Sequence, residues 1–277
     1  MNKFEGSSKY IAGEELLNSV NVAMALQKPL LIKGEPGTGK TMLAEAIAES
    51  LGMELIIWSI KSTTKAQDGL YLYDTVQRLY DSQFGEGNVG DIKQYIRLGK
   101  LGEAFTSEKQ CVLLIDEIDK ADLEFPNDLL WELDKMEFYI NETKETIKTK
   151  TRPIVIITSN AEKELPDAFL RRCIFHYIEF PDKDKMTEIV HAHYGDIDKK
   201  LVEQAMEAFY SLRDMNELQK KPSTSELLDW IQALIIRGVD IKKIVDEIPY
   251  VGVLLKKNED IEVMREIKEK GYSLKRW

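Results

Sequence analysis

The first 181 residues alternate between short apolar runs and longer stretches in which apolar residues recur at helical spacing. Short, continuous apolar runs are typical of strands buried on both faces of a parallel sheet. These runs predict strands over residues 29–33, 54–60, 153–160 and 173–180, with a further strand starting at Cys111. The helical spacing predicts helices over residues 14–27, 42–49, 68–81, 99–108, 127–135 and 165–172. Alternating strands and helices favour an α/β fold with a parallel sheet.

The pattern changes after residue 181, where helical periodicity continues and no strand run follows. Helices are predicted over residues 186–193, 200–215, 225–237, 240–248 and 259–270, with an N-cap region at residues 223–226. A polar turn at residues 141–146 between two β-prone runs, 137–140 and 147–151, predicts a hairpin. We therefore expect an α/β domain over residues 1–181, which carries the motifs described below, and a helical domain over residues 182–277.

A phosphate-binding pattern occupies residues 34–41, which are Gly-Glu-Pro-Gly-Thr-Gly-Lys-Thr. Glycines let the backbone wrap around a phosphate, Lys40 can reach the β and γ phosphates, and the Thr41 hydroxyl can hold Mg²⁺. The helix that follows directs its positive end at the same anion. A glycine-rich surface turn is the alternative, but a strand before the loop and a helix after it favour the phosphate site.

A second motif ends the apolar run that starts at Cys111, where the chain continues as Asp116, Glu117, Ile118 and Asp119. Ligands of open parallel sheets bind at the carboxyl ends of the strands. Asp116 is placed to assist Mg²⁺ coordination, and Glu117 to polarise a water for attack on the γ-phosphate. A strand ending in solvated acids is the alternative, and the phosphate-binding pattern upstream counts against it.

Composition narrows the function classes. The 277 residues are 43% hydrophobic and 31% charged, with a net charge of −10, which is typical of a soluble globular protein. The acidic balance counts against broad non-specific nucleic-acid binding. The two cysteines, Cys111 and Cys173, lack metal-ligand or redox spacing. Without a secretory signal or a membrane-spanning run, we expect no membrane insertion and a cytoplasmic location.

Taken together, the motifs resemble those of the AAA+ ATPases, and more narrowly those of the MoxR-like branch, which is related to the dynein-type AAA_5 ATPases. The AAA+ resemblance rests on residues 34–41, 113–119, 158–160 and 165–172. The MoxR-like resemblance rests on residues 11–16, on the extra segment 61–100 and on the hairpin. The AAA+ resemblance implies the fold of a P-loop NTPase (AAA+), an αβα sandwich with a parallel sheet, followed by a helical lid domain.

The resemblance also implies roles at matching positions. Asn160 resembles the sensor 1 residue, which hydrogen-bonds the attacking water or the γ-phosphate. Arg172 resembles the arginine finger that reaches a neighbouring subunit's nucleotide, with Arg171 as the alternative. The expected cofactors are ATP and Mg²⁺. The nucleotide-binding residues are predicted to be Glu35, Pro36, Gly37, Thr38, Gly39, Lys40, Thr41, Met42 and Ile11.

One position departs from the family pattern. A sensor 2 arginine is expected at the start of a helix in the lid domain, and Ser225 occupies that position. Either Lys220 or Lys221 substitutes for it, or the nucleotide and the lid are coupled more weakly.

Several function classes remain open. The leading hypothesis is a Mg²⁺- and ATP-dependent chaperone or remodelling ATPase that forms a homo-oligomeric, hexameric ring. It would act on a protein client or a partner with a von Willebrand A-type domain. The alternative is a nucleic-acid-coupled AAA+ motor or loader, which the acidic charge disfavours. A small-molecule kinase is a third class, which Glu117, Asn160 and a finger arginine argue against.

Overall fold

The computed structural model describes residues 3–7, 10–85 and 88–269. Its strands β1 to β9 occupy, in order, Leu30–Gly34, Leu55–Ser59, Tyr71–Tyr73, Ile96–Leu98, Val112–Asp116, Glu137–Ile140, Glu145–Lys148, Ile154–Ser159 and Ile174–Ile178. Its helices α1 to α14 occupy Glu14–Leu26, Lys40–Leu51, Ala66–Leu70, Thr75–Phe84, Lys100–Thr106, Phe125–Asp128, Leu130–Lys135, Asp167–Leu170, Lys183–Tyr194, Lys199–Asp214, Thr224–Arg237, Ile244–Glu247, Val251–Leu254 and Asn258–Glu269. The predicted helix 259–270 ends at Lys270, which lies outside the described residues.

The described chain divides into two compact units. Residues up to 34 and from 39 to 178 form the first, and residues 35–38 with those from 179 onward form the second. No helix among the described residues has both the length and the apolar character needed to cross a bilayer.

The first unit is built on a parallel sheet with the order β2-β5-β8-β1-β9. One face is covered by α1 and α2, and the core there includes Val20, Leu43 and Ile156. The other face is covered by α5, α6 and α7 and includes Phe105, Leu113 and Ile157. Because the inner strands β5 and β8 are buried on both faces, each begins with a continuous apolar run. The predicted fold, a parallel α/β sandwich of the P-loop type with a helical region after it, is confirmed.

The segment from 61 to 100 differs from its prediction. A helix over residues 68–81 is wrong, because β3 interrupts it and pairs antiparallel with β4. Gly69 lies against the Trp58 ring, so closely that a Cβ there would be 2.3 Å from the ring. This contact with β2 positions the chain where β3 begins.

The predicted hairpin is present as β6 and β7, although its second strand begins two residues earlier than expected, at Glu145. Phe138 and Ile140 are buried in the core of the first unit. The backbone N–H of Asn141 donates to the Tyr71 hydroxyl at 3.0 Å, and Lys93 forms an ion pair with Glu145 at 2.8 Å. The hairpin and the 61–100 segment are therefore joined.

The second unit contains α9 to α14 around a core that includes Phe209, Trp230 and Leu254. Helix α11 begins with a capping box, in which the Ser223 amide donates to the Glu226 carboxylate at 2.7 Å. The N-cap region predicted at residues 223–226 is confirmed. The prediction of one helix over 240–248 is corrected, because a 3₁₀ turn over Ile241–Lys243 precedes the short helix α12.

Candidate active site

The residues around Lys40 are shaped for an anion. Helix α2 begins at Lys40, directly after Gly39, whose φ of 83° lies in the left-handed region that glycine adopts without strain. Lys40 is 6% exposed, and its ammonium donates to the Gly34 carbonyl at 2.9 Å. The Tyr10 ring packs beside Gly39, so that a Cβ there would be 3.3 Å from the ring. The strand, loop and helix thus bring a buried cation and a helix N-terminus together.

Thr41 and Asp116 form an oxygen pair at the carboxyl end of β5. The Thr41 hydroxyl donates to the Asp116 carboxylate at 3.1 Å, although the two residues are 75 positions apart. Hydroxyl, carboxylate and phosphate oxygens with waters are the ligands Mg²⁺ prefers. The donor set therefore fits a magnesium ion held by these two residues.

Thr158 ties the two acids together. Its side chain is fully buried at the end of β8, and its hydroxyl donates to Asp116 at 2.7 Å. The same oxygen accepts the backbone N–H of Glu117 at 2.8 Å. Pairing of Ile115 with Ile157 places Asp116 and Thr158 side by side. The hydroxyl therefore orients both the candidate metal ligand and the backbone of the candidate base.

Glu117 itself has an unusual backbone. Its φ is 58°, in the left-handed region that non-glycine residues rarely adopt. Its carboxylate accepts the Asn160 side-chain amide at 2.9 Å and forms an ion pair with Lys120. Strained backbone persists where surrounding contacts over-determine it and often marks a functional site. The structure thus brings the predicted pair Glu117 and Asn160 into direct contact.

Asp119 has a different role from Glu117. It is 3% exposed, and its two carboxylate oxygens accept the backbone N–H groups of Asn160, at 3.3 Å, and Glu162, at 2.9 Å. Because both of its oxygens accept backbone hydrogen bonds, this carboxylate holds the loop after β8 in place and is not positioned to deprotonate a water. Asp119 therefore joins the two loops that carry Glu117 and Asn160.

Comparisons with known proteins identify the family of this chain. Residues 30–182 match the model of the ATPase family associated with various cellular activities, AAA. The chain belongs to the AAA family of ATPases. Members of this family are ATPases that bind ATP, typically with Mg²⁺, and typically assemble as rings.

The relatives of this AAA protein are distant. Midasin of Dictyostelium discoideum is 27% identical over 120 residues, covering 38% of this chain and 2% of midasin. The chloroplastic ATP-dependent zinc metalloprotease FTSH 8 of Arabidopsis thaliana is 26% identical over 184 residues, covering 63% of this chain and 23% of that protein. The chain thus spans less than a quarter of the length of either relative.

A solved structure supports the fold. The Holliday junction branch migration motor RuvB of Thermotoga maritima superposes with a TM-score of 0.56 and 16% identity. The match covers 94% of this chain and 77% of RuvB. At this identity the likeness concerns the fold alone.

The two candidate finger arginines of this AAA domain differ in their surroundings. Arg172 pairs with Asp134 through Nε at 2.7 Å and donates to the Ala168 carbonyl at 2.8 Å. Arg171 is exposed, and no hydrogen bond or ion pair is formed by its side chain within the described residues. Arg172 is therefore held by contacts with α7 and α8.

The nucleotide contacts predicted at the edge of the site are open to solvent: Ile11 is 53% exposed and Met42 is 41% exposed. Residues 35–38 of the loop group with the second unit, where the Thr38 hydroxyl donates to the Glu35 carbonyl at 2.9 Å. Pro36 and Gly37 lie in the same stretch.

Within the second unit, Arg213 is a cation that the sequence analysis missed. Its guanidinium lies 3.3 Å over the Phe180 ring, donates to the Pro222 carbonyl and pairs with Glu35 at 2.7 Å. A cavity of about 370 Å³ beside it is lined by Glu35, Pro36, Arg213, Leu218, Gln219, Lys220, Lys221, Ser223 and Glu226. Arg213 and Glu35 are 178 positions apart, so the local sequence carries no signal for this ion pair and a spacing argument could not have predicted it.

Proposed function

We propose that this chain is a Mg²⁺-dependent ATPase of the MoxR-like AAA+ branch that forms a ring and remodels protein partners. The proposal rests on one observation, the connected set Thr41, Asp116, Thr158, Glu117 and Asn160. This set joins the ends of three segments of the first unit, and it contains a metal-type oxygen pair, a carboxylate and an amide.

Lys40 and four residues of the set have tasks in hydrolysis, and Thr158 orients two of them. Lys40 would bind the phosphates of ATP, and Thr41 and Asp116 would hold Mg²⁺, which neutralises charge on the phosphates. Glu117 would accept a proton from the attacking water, because a carboxylate can act as a general base within hydrogen-bond reach. Asn160 would keep that carboxylate and the water aligned. We place the cofactor contacts at residues 35–42 and at Ile11.

The remodelling part of the proposal is supported by the joined hairpin and 61–100 segment. Helix α4 of that segment exposes Val76 at 81%, Leu79 at 57% and Phe84 at 63%. Val76 lies three positions before Leu79 and four before the exposed Tyr80. Phe84 lies four after Tyr80 and packs against its ring, so these side chains share one side of the helix. Apolar side chains exposed together are typical of protein interaction sites. Protein clients suit such a surface better than nucleic acid does, and the net charge of −10 points the same way.

The ATPase proposal is tested by phosphate release from the purified chain with Mg²⁺ and ATP. Lys40→Ala should abolish release and nucleotide binding, because the ammonium carries the main side-chain charge at the phosphates. Lys109→Ala is the matched control, since Lys109 is exposed and precedes β5, at the opposite end from Asp116. Chelation of Mg²⁺ by EDTA should also stop release. Unchanged ATP affinity in Lys40→Ala would contradict the assignment.

The protein-partner proposal is tested at the hairpin turn. Deleting residues 142 and 143 should leave folding and nucleotide binding intact, because the anchors Phe138 and Tyr71 are retained. Partner remodelling should fall. Duplex or single-stranded DNA should not stimulate the wild-type ATPase at low salt, and salt-sensitive stimulation would favour the nucleic-acid motor instead.

The ring proposal assigns the finger to Arg172, with Arg171 as the alternative. Arg172→Ala and Lys40→Ala proteins should each be inactive alone. A mixed ring contains sites where an intact Lys40 meets a neighbour's intact Arg172, so mixing should restore part of the phosphate release. No recovery in rings shown to contain both subunits would point to Arg171 or to a finger acting within its own subunit.

A further inference from the structure

Lys120 touches the candidate general base directly. Its ammonium forms a short ion pair with one carboxylate oxygen of Glu117, while the Asn160 amide donates to the other oxygen at 2.9 Å. A donor therefore sits on each oxygen of the one carboxylate that would accept a proton. A general base needs an oxygen within about 2.6–3.2 Å of the water it deprotonates.

The backbone fixes this pairing. A 3₁₀ turn over Ile118–Lys120 follows Glu117 and places the two side chains three positions apart on the same side. The Lys163 ammonium donates to the carbonyls of Lys120 and Ala121, the latter at 2.7 Å. The buried Asp119 holds the facing loop. The turn that carries Lys120 is thus held in place by Lys163, with the Lys120 side chain directed at Glu117.

Lys120 keeps its charge in this arrangement. The hydrogen bond to Glu117 raises the pKa of Lys120 above its ordinary value, and the attraction of the same carboxylate acts in that direction. The two side chains are 41% and 32% exposed, so water can reach the pair and the pair can open.

We propose that Lys120 is a positioning residue that holds Glu117 in a resting arrangement, so that opening of the Lys120–Glu117 pair limits hydrolysis. The inference rests on the proposed ATPase function and adds a restraint to its base. The ion pair of Lys120 is with Glu117, outside the phosphate-binding pattern at residues 34–41, so the restraint acts on turnover and not on ATP binding.

The expected effect is modest and has a definite sign. Because half-exposed ion pairs are weak, removing the ammonium should raise kcat about two- to fivefold. The KM for ATP should stay unchanged. Lys120→Arg retains a cation on Glu117 and should keep the wild-type kcat.

The test is steady-state phosphate release, with ATP affinity measured separately, for wild type, Lys120→Met, Lys120→Ala and Lys120→Arg. Lys100→Met is the matched control, since Lys100 forms an exposed ion pair with Glu103 at the same three-residue spacing. A higher kcat in the Met and Ala variants alone supports the restraint. An unchanged or lower kcat with normal ATP affinity overturns it, because Lys120 would then be inert or would orient the base productively.

Failure of the ATPase proposal gives a different pattern. If the wild type releases no phosphate in a Lys40-dependent way and the Lys120 variants release none, both proposals fail together. If the wild type hydrolyses ATP through Lys40 and the Lys120→Met protein is not faster, the restraint alone fails.

Discussion

Replacing Thr158 by Val removes the hydroxyl that joins Asp116 to Glu117 while keeping nearly the same shape. The hydroxyl is fully buried and makes bonds of 2.7 Å to the carboxylate and 2.8 Å from the Glu117 N–H. A hydrogen bond to a charged group contributes about 1.5–3 kcal/mol, and a buried N–H left without an acceptor costs about 1–3 kcal/mol. The added methyl recovers about 0.8 kcal/mol. Thr158→Val should therefore lower the free energy of unfolding by about 2–5 kcal/mol.

Urea unfolding followed by far-UV circular dichroism measures this loss. Thr158→Ser is the matched control, because it keeps the hydroxyl and loses one buried methyl at a cost of about 1 kcal/mol. Phosphate release should fall more in the Val protein than in the Ser protein, since the Val protein alone loses the orientation of Asp116 and Glu117. A Val protein as stable as the Ser protein would refute the bridging role of the hydroxyl.

Three further substitutions test the surroundings of the site. Asp119→Asn should lower the free energy of unfolding, measured in urea, by about 1.5–3 kcal/mol, because one charge-assisted hydrogen bond to the loop of Asn160 is lost. A change below about 0.5 kcal/mol would contradict this. Gly102→Ala should destabilise strongly in the same assay, since its Cβ would lie 2.1 Å from the Leu70 carbonyl; a stable, active protein would contradict that packing. Burial raises the pKa of Glu132, so the stability from this group is present below its unfolded pKa and is lost as pH rises through the folded pKa. Glu132→Gln should therefore unfold at a higher urea concentration than wild type near pH 7, and this gain should shrink as pH falls. A gain independent of pH would count against burial as the cause.

The main sheet could be predicted because its strands carry local signals. The runs at residues 30–32 and 111–115 are continuously apolar, and polar residues follow each within two positions. Local periodicity failed over residues 68–81. There Tyr71 pairs with Leu98, which is 27 positions away. The local spacing of apolar residues carries no information about a strand partner so distant in the sequence.

The site shows the same division. Lys40, Thr41 and Asp116 stand at motif positions, and the parallel sheet brings them together. The bridging role of Thr158 depends on β5 lying beside β8, which is a property of strand order. The ion pair between Lys120 and Glu117 could have been suspected from their three-residue spacing. Oppositely charged residues at this spacing are common on protein surfaces, however, and it is the 3₁₀ turn after Glu117 that brings these two side chains together.

The central claim is that Lys40 binds ATP and Glu117 drives its hydrolysis. A single-turnover measurement on Glu117→Gln, with bound ATP and released phosphate counted on the same sample, separates ATP binding from hydrolysis and so tests the role of Glu117 most directly. The variant should bind ATP with the wild-type dissociation constant and release phosphate at least about 100-fold more slowly, which is the lower range of general-base catalysis. Phosphate release within a few-fold of the wild-type rate would contradict the account.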